Sequence, residues 1–560
     1  MKSIKLVTRY IKMIWKKCIP CLIIAVFIIG LQIVMPLAVR QFLYGIEENS
    51  TVKLLVISLI LYALLLAVYN LVDVLWMKSL DRMGGAILSK IREELMRSIY
   101  YAPYKKVLNI GTEKIKNIIY MDTINIFGCI SVHTVNIIIN FIIVCIFDVI
   151  AFNINMMFGV GLLLVAVVGF ALAMLTRRHI AAASRSVNIK MKADNKNVGE
   201  YVDSLEMARS NNLIDYFVTK ENDAIDDFIS TSLKADNTLV SLRNLVSQFH
   251  QWASMLLIAL TTMYVKGDAG DIVFAMLVLD IVLDASKNLE NSVYQIVRNE
   301  PSFEHVGDII KLLPEKGRKS GSETSKQPAD GGDTSEACSM QEYENIRAVE
   351  NVSFNDVTFS YDDRKEVIKK LNAEFEKGEI IHVKGENGAG KSTFIKLLNG
   401  LLEPDSGKIC FNNISCSEIS PEVKCENVLY VGQDENLLNE TEMKYLDIIT
   451  SSTCSTKQIK DVLSQLGVTE ADMERTIEEL GMSLSGGQRR KLLLAKLMLM
   501  YDKASVIIID EIENDLDKNT RQLWREFTQK LYEEKDRHII FYISHDYDGE
   551  GFCTRTFTLK

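Results

Sequence analysis

The sequence predicts a multidomain membrane protein, in which an all-α transmembrane bundle precedes a soluble α/β domain. Three observations indicate this division of the 560-residue chain. The long apolar runs lie almost entirely before residue 300, and a stretch with few large apolar side chains, 315–345, follows them. Beyond it, the composition is that of an ordinary soluble domain. We therefore place a transmembrane domain at 1–310, a flexible linker at 311–348 and a soluble domain at 349–560.

Six apolar stretches are long enough to cross about 30 Å of hydrocarbon as helices. We place these spans at 18–42, 52–77, 132–152, 156–176, 249–265 and 270–285. The connections between them alternate between short turns and long segments rich in lysine and arginine. The long segments, 78–131 and 177–248, keep helical periodicity, so we expect them to extend the membrane helices. Because lysine and arginine accumulate on the cytoplasmic side, both termini and the soluble domain are expected inside a plasma or bacterial inner membrane.

The overall charge and the cysteines exclude some classes of function. The formal net charge is −9 and is spread along the chain, which does not favour nucleic acid as a partner. The ten cysteines lack the spacing of a metal site or a disulfide framework.

A phosphate-binding loop is the strongest motif of the soluble domain. The sequence GENGAGKST begins at Gly385, follows an apolar strand at 380–383 and precedes a helical run at 394–398. Glycines in this setting let backbone N–H groups surround a phosphate at a helix N-terminus. Lys391 is predicted to contact the β- and γ-phosphates of ATP, and Ser392 to bind Mg²⁺. The predicted nucleotide-binding residues of this loop are Gly385, Asn387, Gly388, Gly390, Lys391, Ser392 and Thr393.

Two carboxylates follow a second apolar strand. The run Val506–Asp510 ends in an aspartate, and Glu511 comes next. We predict that Asp510 holds Mg²⁺ and that Glu511 polarises an attacking water, because a glutamate there is already charged at neutral pH. Taken alone, the pair is also compatible with two carboxylates that simply end a strand and have no catalytic role.

The pentapeptide LSGGQ at 484–488 is more specific, since many NTPases have a phosphate loop but few have this sequence. Together with the two preceding motifs, it makes residues 349–560 resemble the nucleotide-binding domain of an ABC transporter. The whole chain resembles the exporter branch of that family, in which a six-helix membrane half precedes the ATPase domain on one polypeptide.

The resemblance implies further roles. Tyr361 matches the aromatic that stacks on adenine, and Gln433 matches a glutamine that contacts Mg²⁺. His545 matches the switch histidine at the γ-phosphate, and Asp517 matches the aspartate of the dimer-contact loop. The residues that would reach the nucleotide of a partner subunit are Ser485, Gly486, Gly487 and Gln488.

Three positions depart from the family pattern. Ile512 and Gly432 stand where proline is usual, and the dimer-contact loop has the sequence NDLD at 514–517 instead of SALD. None of these changes removes a catalytic group, so catalysis is expected to survive. They leave the communication between two ATP sites open.

The resemblance implies a dimer, because one chain supplies one phosphate loop and one signature sequence. Self-pairing is the simpler interpretation, since every catalytic element is present, and a heterodimer remains an alternative. The predicted function is ATP-driven export of a peptide, drug-like molecule or lipid by alternating access. The alternative is an ATP-dependent membrane sensor or regulator that transports nothing.

Two aspartates of the sixth predicted span bear on the substrate. Asp280 and Asp284 are one helical turn apart and share a helix face. They are expected either to line a translocation cavity that favours cationic or peptide cargo, or to pair with basic residues nearby. Asp73 and Asp148 lie nearer the ends of their spans and receive less weight.

Overall fold

The computed structural model describes residues 2–47, 52–264, 269–312, 348–361, 366–386, 388–432, 435–513, 516–544 and 552–559. The chain divides into two compact units. Unit 1 comprises Met1–Ala102 and Ile110–Ser322, and unit 2 comprises Pro103–Asn109 and Glu323–Lys560. The predicted linker at 311–348 lies almost entirely outside the described residues.

Helices are the only regular secondary structure among the described residues of unit 1. Its helices are α1 (Lys2–Met13), α2 (Trp15–Glu47), α3 (Val52–Tyr100), α4 (Tyr104–Ile110, mostly in the segment assigned to unit 2), α5 (Thr112–Asn117), α6 (Thr123–Gly128), α7 (Val135–Ile154), α8 (Met156–Asp203), α9 (Leu205–Ser210), α10 (Ile214–Tyr264), α11 (Ala269–Arg298) and α12 (Glu300–Ile310). Two π-helical turns, Ile118–Asp122 and Cys129–Thr134, join α5, α6 and α7 into one almost continuous rod.

The longest helices exceed the thickness of a membrane. Helix α3 has 49 residues and α10 has 51. At about 1.5 Å per residue each is roughly 75 Å long, more than twice the hydrocarbon thickness. Helices α3, α8 and α10 run without a break through 78–100, 177–203 and 214–248, next to the predicted spans.

Four helical stretches within the described residues are long and apolar enough to cross a membrane. They are Trp15–Ile46, Leu55–Tyr100, Thr112–Ile154 and Met156–Thr176, and they include the first four predicted spans, apart from residues 52–54. The fifth and sixth predicted spans lie in α10 and α11 but are not among these four. The sixth span, 270–285, contains three aspartates, which make it less apolar. The fifth span ends at residue 265, which lies outside the described part of the chain.

Two apolar clusters hold unit 1 together. In the first, Ile87, Ile91 and Leu95 of α3 are fully buried against α12 and the N-terminal helices. In the second, α7, α8, α10 and α11 meet around residues such as Phe147 and Val278. At about 1.5–3 kcal/mol for each large apolar side chain removed from water, such clusters stabilise a bundle wherever it is not surrounded by lipid.

Unit 2 contains two sheets. Its strands are β1 (Asn351–Ser360), β2 (Glu366–Glu376), β3 (Ile380–Lys384), β4 (Ser406–Phe411), β5 (Ile414–Ser415), β6 (Val428–Gly432), β7 (Val506–Asp510), β8 (Ile539–Ile543) and β9 (Arg555–Thr558). Its helices are α13 (Lys391–Leu398), α14 (Pro421–Asn427), α15 (Glu442–Ile449), α16 (Thr456–Gln465), α17 (Glu470–Met473), α18 (Gly486–Met500) and α19 (Lys518–Glu533). The antiparallel sheet has the order β2-β1-β4-β5, and the parallel sheet has the order β6-β7-β8-β3-β9.

The parallel sheet positions the site. Its central strands are buried on both faces, which explains their runs of isoleucine and valine. Gly432 of β6 and Ile543 of β8 pair in register with Asp510 of β7. The carboxyl ends of β3, β6, β7 and β8 therefore lie along one edge, which is where ligands bind in such sheets.

Candidate functional site

The phosphate loop connects β3 to α13, as predicted. Gly388 and Gly390 have positive φ angles of 88° and 92°, which L side chains adopt only with strain. A Cβ at position 390 would also lie 3.0 Å from Ile368 Cδ1 and 3.1 Å from Val367 Cγ1. The loop therefore requires glycine at 390 for both its backbone angle and its close packing.

The lysine of the loop folds back over it. Lys391 Nζ donates a hydrogen bond to the Gly385 carbonyl, 3.0 Å away. Ser392 is exposed at the first turn of α13, whereas Thr393 is buried. Asn387 lies outside the described residues. The ammonium group, the exposed hydroxyl and the start of the helix together form a surface suited to a phosphate group.

Tyr361 lies beside this loop. Thr393 Oγ1 donates to the Tyr361 hydroxyl at 3.3 Å. The Tyr361 ring packs edge-on against Phe359 with centroids 5.1 Å apart. The structure thus brings the predicted adenine-stacking aromatic to the first turn of α13.

Asp510 and Glu511 lie at the carboxyl end of β7. The Tyr430 hydroxyl donates to Asp510 Oδ2 at 3.5 Å. Glu511 has a positive φ of 53°, and its N–H donates to the Ile543 carbonyl at 3.1 Å. For a non-glycine residue, this left-handed conformation costs about 1–2 kcal/mol. Backbone strain of this kind is concentrated at functional sites, and the sequence alone did not predict it here.

Gln433 and His545 were predicted to complete this edge. Both lie outside the described residues. Gly432 and Ser544, which precede them in the sequence, are described, and Gly432 pairs with Asp510.

The signature sequence forms the start of α18. Ser485 is the N-cap of this helix, and its Oγ accepts from Gln488 N at 3.3 Å. In return, Gln488 Oε1 accepts from Ser485 N at 3.0 Å. The serine and the glutamine thus form a capping box, and the two glycines between them place no side chain over the helix start. Ser485 and Gly486 are exposed, so this helix start is accessible to a phosphate group.

Asp517 caps the next helix and contacts the signature helix. Its Oδ1 accepts from Thr520 N at 2.8 Å, and its Oδ2 lies 2.8 Å from Lys491 Nζ. The hydrogen bond from Lys491 and then that from Thr520 lower the pKa of Asp517 to about 2. The aspartate is therefore ionised at any physiological pH.

Comparison with known proteins fits this geometry. A family model described as ABC transporter matches residues 368–514. A putative ABC transporter ATP-binding protein of Pyrococcus abyssi is 30% identical over 202 residues, which cover 35% of this chain and 74% of that protein. The chain belongs to the ABC transporter family.

Other relatives of this ABC transporter chain match over a longer stretch of it. The chloroplastic ABC transporter B family member 29 of Arabidopsis thaliana is 27% identical over 297 residues, which are 50% of this chain and 42% of that protein. A subtilin transport ATP-binding protein of Bacillus subtilis is 26% identical over 328 residues, which are 55% of this chain and 48% of that protein. The chain thus matches less than half the length of each of these two relatives.

The fold agrees along nearly the whole chain. A bacterial Atm1-family ABC exporter solved with ATP bound superposes with a TM-score of 0.79 at 18% identity, covering 97% of this chain and 93% of that one. The predicted fold class, a helical transmembrane bundle followed by an α/β nucleotide-binding domain, is confirmed.

Sequence reasoning missed a buried ion pair in the ABC ATPase domain. Lys496 of α18 donates to Glu435 Oε1 at 2.5 Å and to the Tyr430 carbonyl at 2.9 Å. Arg489 donates to the Glu435 carbonyl at 2.8 Å. Both charged side chains of the pair are largely buried. Glu435 is three residues beyond the end of β6. The pair therefore fixes the signature helix to the edge of the parallel sheet. Lys496 is a charge in an otherwise apolar helical run, which is the signal that could have revealed it.

The two predicted substrate aspartates of this ABC transporter are exposed on α11. Val278, Leu279 and Val282 form the buried face of this helix, and Asp280 and Asp284 point away from that face. Asp284 Oδ1 lies 3.7 Å from Lys287 Nζ on the same helix. Exposure in a single chain is compatible both with a cavity between two subunits and with pairing to local bases.

Proposed function

We propose that this chain is one half of a dimeric exporter that moves a substrate across a cell membrane by alternating access, driven by ATP binding and hydrolysis. The observation that supports this most is the edge of the parallel sheet at which the phosphate loop and the Asp510–Glu511 pair meet, in a chain that also has a helical unit of membrane type. A relative named for subtilin transport and the fold of an ABC exporter support the same conclusion.

ATP would be bound by the phosphate loop and Tyr361. Backbone N–H groups from Gly388 to Ser392 would surround the phosphates, and Lys391 would exchange its bond to the Gly385 carbonyl for bonds to phosphate oxygens. The charged acceptor makes that bond the stronger of the two. Tyr361 would stack on the adenine.

The residues proposed for Mg²⁺ fit its preference for oxygen ligands. They are Ser392, Gln433 and Asp510, a hydroxyl, an amide and a carboxylate. The ion would neutralise the charge that develops on the phosphates.

Hydrolysis would depend on Glu511 and His545. The Glu511 carboxylate would accept a hydrogen bond from the attacking water and so orient it, and His545 would donate to the γ-phosphate. The strained backbone of Glu511, held by the bond to the Ile543 carbonyl, supports this role because it fixes where the side chain begins.

A partner subunit would complete each ATP site. The exposed start of α18, with Ser485, Gly486, Gly487 and Gln488, would bind the γ-phosphate held by the partner's phosphate loop. Asp517 would lie in the loop that contacts the partner. ATP would favour the closed pair of ATPase domains because it binds that state more tightly, and its hydrolysis would reset the membrane helices. A homodimer is the simpler arrangement.

The membrane orientation follows from the lysine and arginine excess. Both termini and the ATPase domain would lie in the cytoplasm, with the bundle in a plasma or inner membrane. The substrate would be a peptide, a drug-like molecule or a lipid.

The first experiment is ATP hydrolysis by the purified full chain in lipid, with Glu511→Gln as the control. Steady turnover that the control abolishes would support a self-sufficient homodimer, and stimulation by candidate substrates could then be screened. Absence of turnover from folded protein would overturn the homodimer. In that case a heterodimer or a regulator that requires a protein partner would replace it.

A further inference from the structure

A polar cavity of about 200 Å³, half-open to the surface, lies between α2, α3, α7 and α11 of unit 1. Its polar lining residues are Gln32, Asp73, Asn136, Asn140 and Asn288. Aliphatic side chains such as Ile28 and Ile143 line the rest of it. A carboxylate and four amides around one cavity are costly in helices of membrane type, so such groups usually serve a function.

The cavity has one buried hydrogen-bond acceptor that is unsatisfied. Gln32 Oε1 is buried and has no hydrogen-bond partner among the described residues. Among the described residues, Asp73 makes no ion pair. By contrast, Asp271 on α11 is paired, with its Oδ1 2.6 Å from Arg40 Nη2. The amide nitrogen of Asn140 is already used, because it donates to the Asn136 carbonyl at 2.7 Å. Within the described part of the chain, the cavity therefore offers one amide oxygen without a hydrogen-bond partner and one carboxylate without an ion pair.

Aromatic rings complete the lining. Trp76 is buried and Tyr69 is half-buried, and both lie on α3, the helix of Asp73. No lysine, arginine or histidine is found among the described lining residues. A carboxylate, amide oxygens and aromatic rings all attract cations, whereas Asp73 would repel an anion.

From this we infer that the cavity between α2, α3, α7 and α11 is a binding subsite for an alkylammonium group. This rests on the proposed function, since it assigns the subsite to the exporter's cargo. The volume is below the roughly 300–1,000 Å³ of pockets that enclose whole drug-sized ligands, so the cavity accepts the charged end of a larger molecule. Cation recognition is thereby assigned to Asp73, which lies nearer the end of its predicted span, instead of to Asp280 and Asp284.

An ammonium group has two sources, a soluble amine or the headgroup of an amine-bearing lipid. The chemistry of recognition is the same for both. The test therefore begins in a detergent with an uncharged sugar headgroup and then adds lipid.

The probe is dansylcadaverine, a fluorescent group on a five-carbon stem that ends in a primary ammonium. Its N-acetylated form has the same stem without the charge. Binding to the purified full chain is measured by fluorescence anisotropy without ATP, so a failure here is distinguishable from a failure of ATP-driven export. We expect the charged probe to bind about tenfold or more tightly than the acetylated one, as a charge-assisted contact predicts.

Variants locate the site. Asp73→Asn should abolish the preference for the charged probe, and Asp81→Asn, an exposed change on the same helix, should preserve it. Asn288→Asp adds a second carboxylate to the lining and should tighten binding of the charged probe, a gain that misfolding cannot mimic. Equal binding of the two probes by the wild-type chain, or loss of the preference in Asp280→Asn but not in Asp73→Asn, would overturn the assignment.

Lipid addition identifies the source. If phosphatidylethanolamine weakens probe binding several-fold and phosphatidylglycerol does not, the natural occupant is a lipid headgroup. If neither lipid competes in the wild-type chain while the Asp73 dependence persists, the occupant is a soluble amine. Both outcomes require the ammonium subsite, and competition that is equally strong in Asp73→Asn would contradict it.

Discussion

Lys491 Nζ and Asp517 Oδ2 lie 2.8 Å apart and join the signature helix α18 to the N-terminus of α19. Asp517 is at the same time the N-cap of α19, through its bond from Thr520 N. One side chain thus links the signature helix to the predicted dimer-contact loop. Its two functions can be separated by substitution.

We predict that Asp517→Ala lowers the free energy of unfolding by about 1 kcal/mol, because the N-cap is lost. Asp517→Asn should cost less, since asparagine also caps helices and the half-exposed ion pair contributes only about 0–1 kcal/mol. Calorimetry of the purified full chain compares the two. Equal losses would show that the ion pair, and not the cap, stabilises this junction.

Gln488 combines a structural and a proposed catalytic role. Gln488→Glu keeps an oxygen that can accept from Ser485 N, so the capping box and the melting temperature should be retained. The added negative charge at the helix start should repel the partner's γ-phosphate and reduce ATP turnover at least tenfold. Gln488→Ala is the matched variant. It loses the side-chain bond from Ser485 N but keeps the backbone bond to Ser485 Oγ, and the stability falls by about 0.5–1 kcal/mol. Full turnover by Gln488→Glu would argue against phosphate binding at this helix.

The Lys496–Glu435 pair should be costly to break from one side. Lys496→Met leaves a largely buried carboxylate without its ammonium partner, and we expect a loss of about 3–5 kcal/mol. The double change Lys496→Met with Glu435→Leu should recover a good part of that loss, because no buried charge remains. Chemical denaturation of the wild type, the two single variants and the double variant measures the coupling, and simple additivity would contradict it.

Glu442 should make the ATPase domain less stable at alkaline pH. Burial, with the charge of Asp472 as a smaller cause, raises the pKa of this carboxyl to about 7, while Arg475 acts in the opposite direction. Between about pH 4 and 7 the folded domain keeps a proton that the unfolded chain has lost, so stability falls as the pH rises through this range.

Glu442→Gln should remove that dependence. The variant should gain about 1–3 kcal/mol relative to wild type at pH 8 and little or nothing near pH 4. Melting curves at both pH values provide the measurement, and Glu474→Gln, an exposed change, is the control. A constant difference between variant and wild type at all pH values would mean that the carboxyl does not titrate in this range.

Much of the fold could be predicted from local patterns. The first four spans, the helical extensions, the phosphate loop and the strand ending at Asp510 depend on periodicity, glycine placement and runs of apolar residues, which are properties of neighbouring positions. The spans in α10 and α11 were harder to assign. Charges interrupt the apolar run of α11, and only packing against other helices decides which faces are buried.

The family resemblance, the order of the two parts and the chemistry of each motif are readable from the residues alone, because each motif is contiguous and its spacing is set by a turn or a helix start. Which distant residues meet is visible only in the folded chain. In the folded chain Lys496 pairs with Glu435, and Lys491 pairs with Asp517. The backbone of Glu511 is strained and bonds to Ile543. Asp73, Gln32 and Asn288 line one cavity. The reason is physical: a contact between residues far apart in the chain depends on the packing of whole helices and sheets, and no local pattern encodes it.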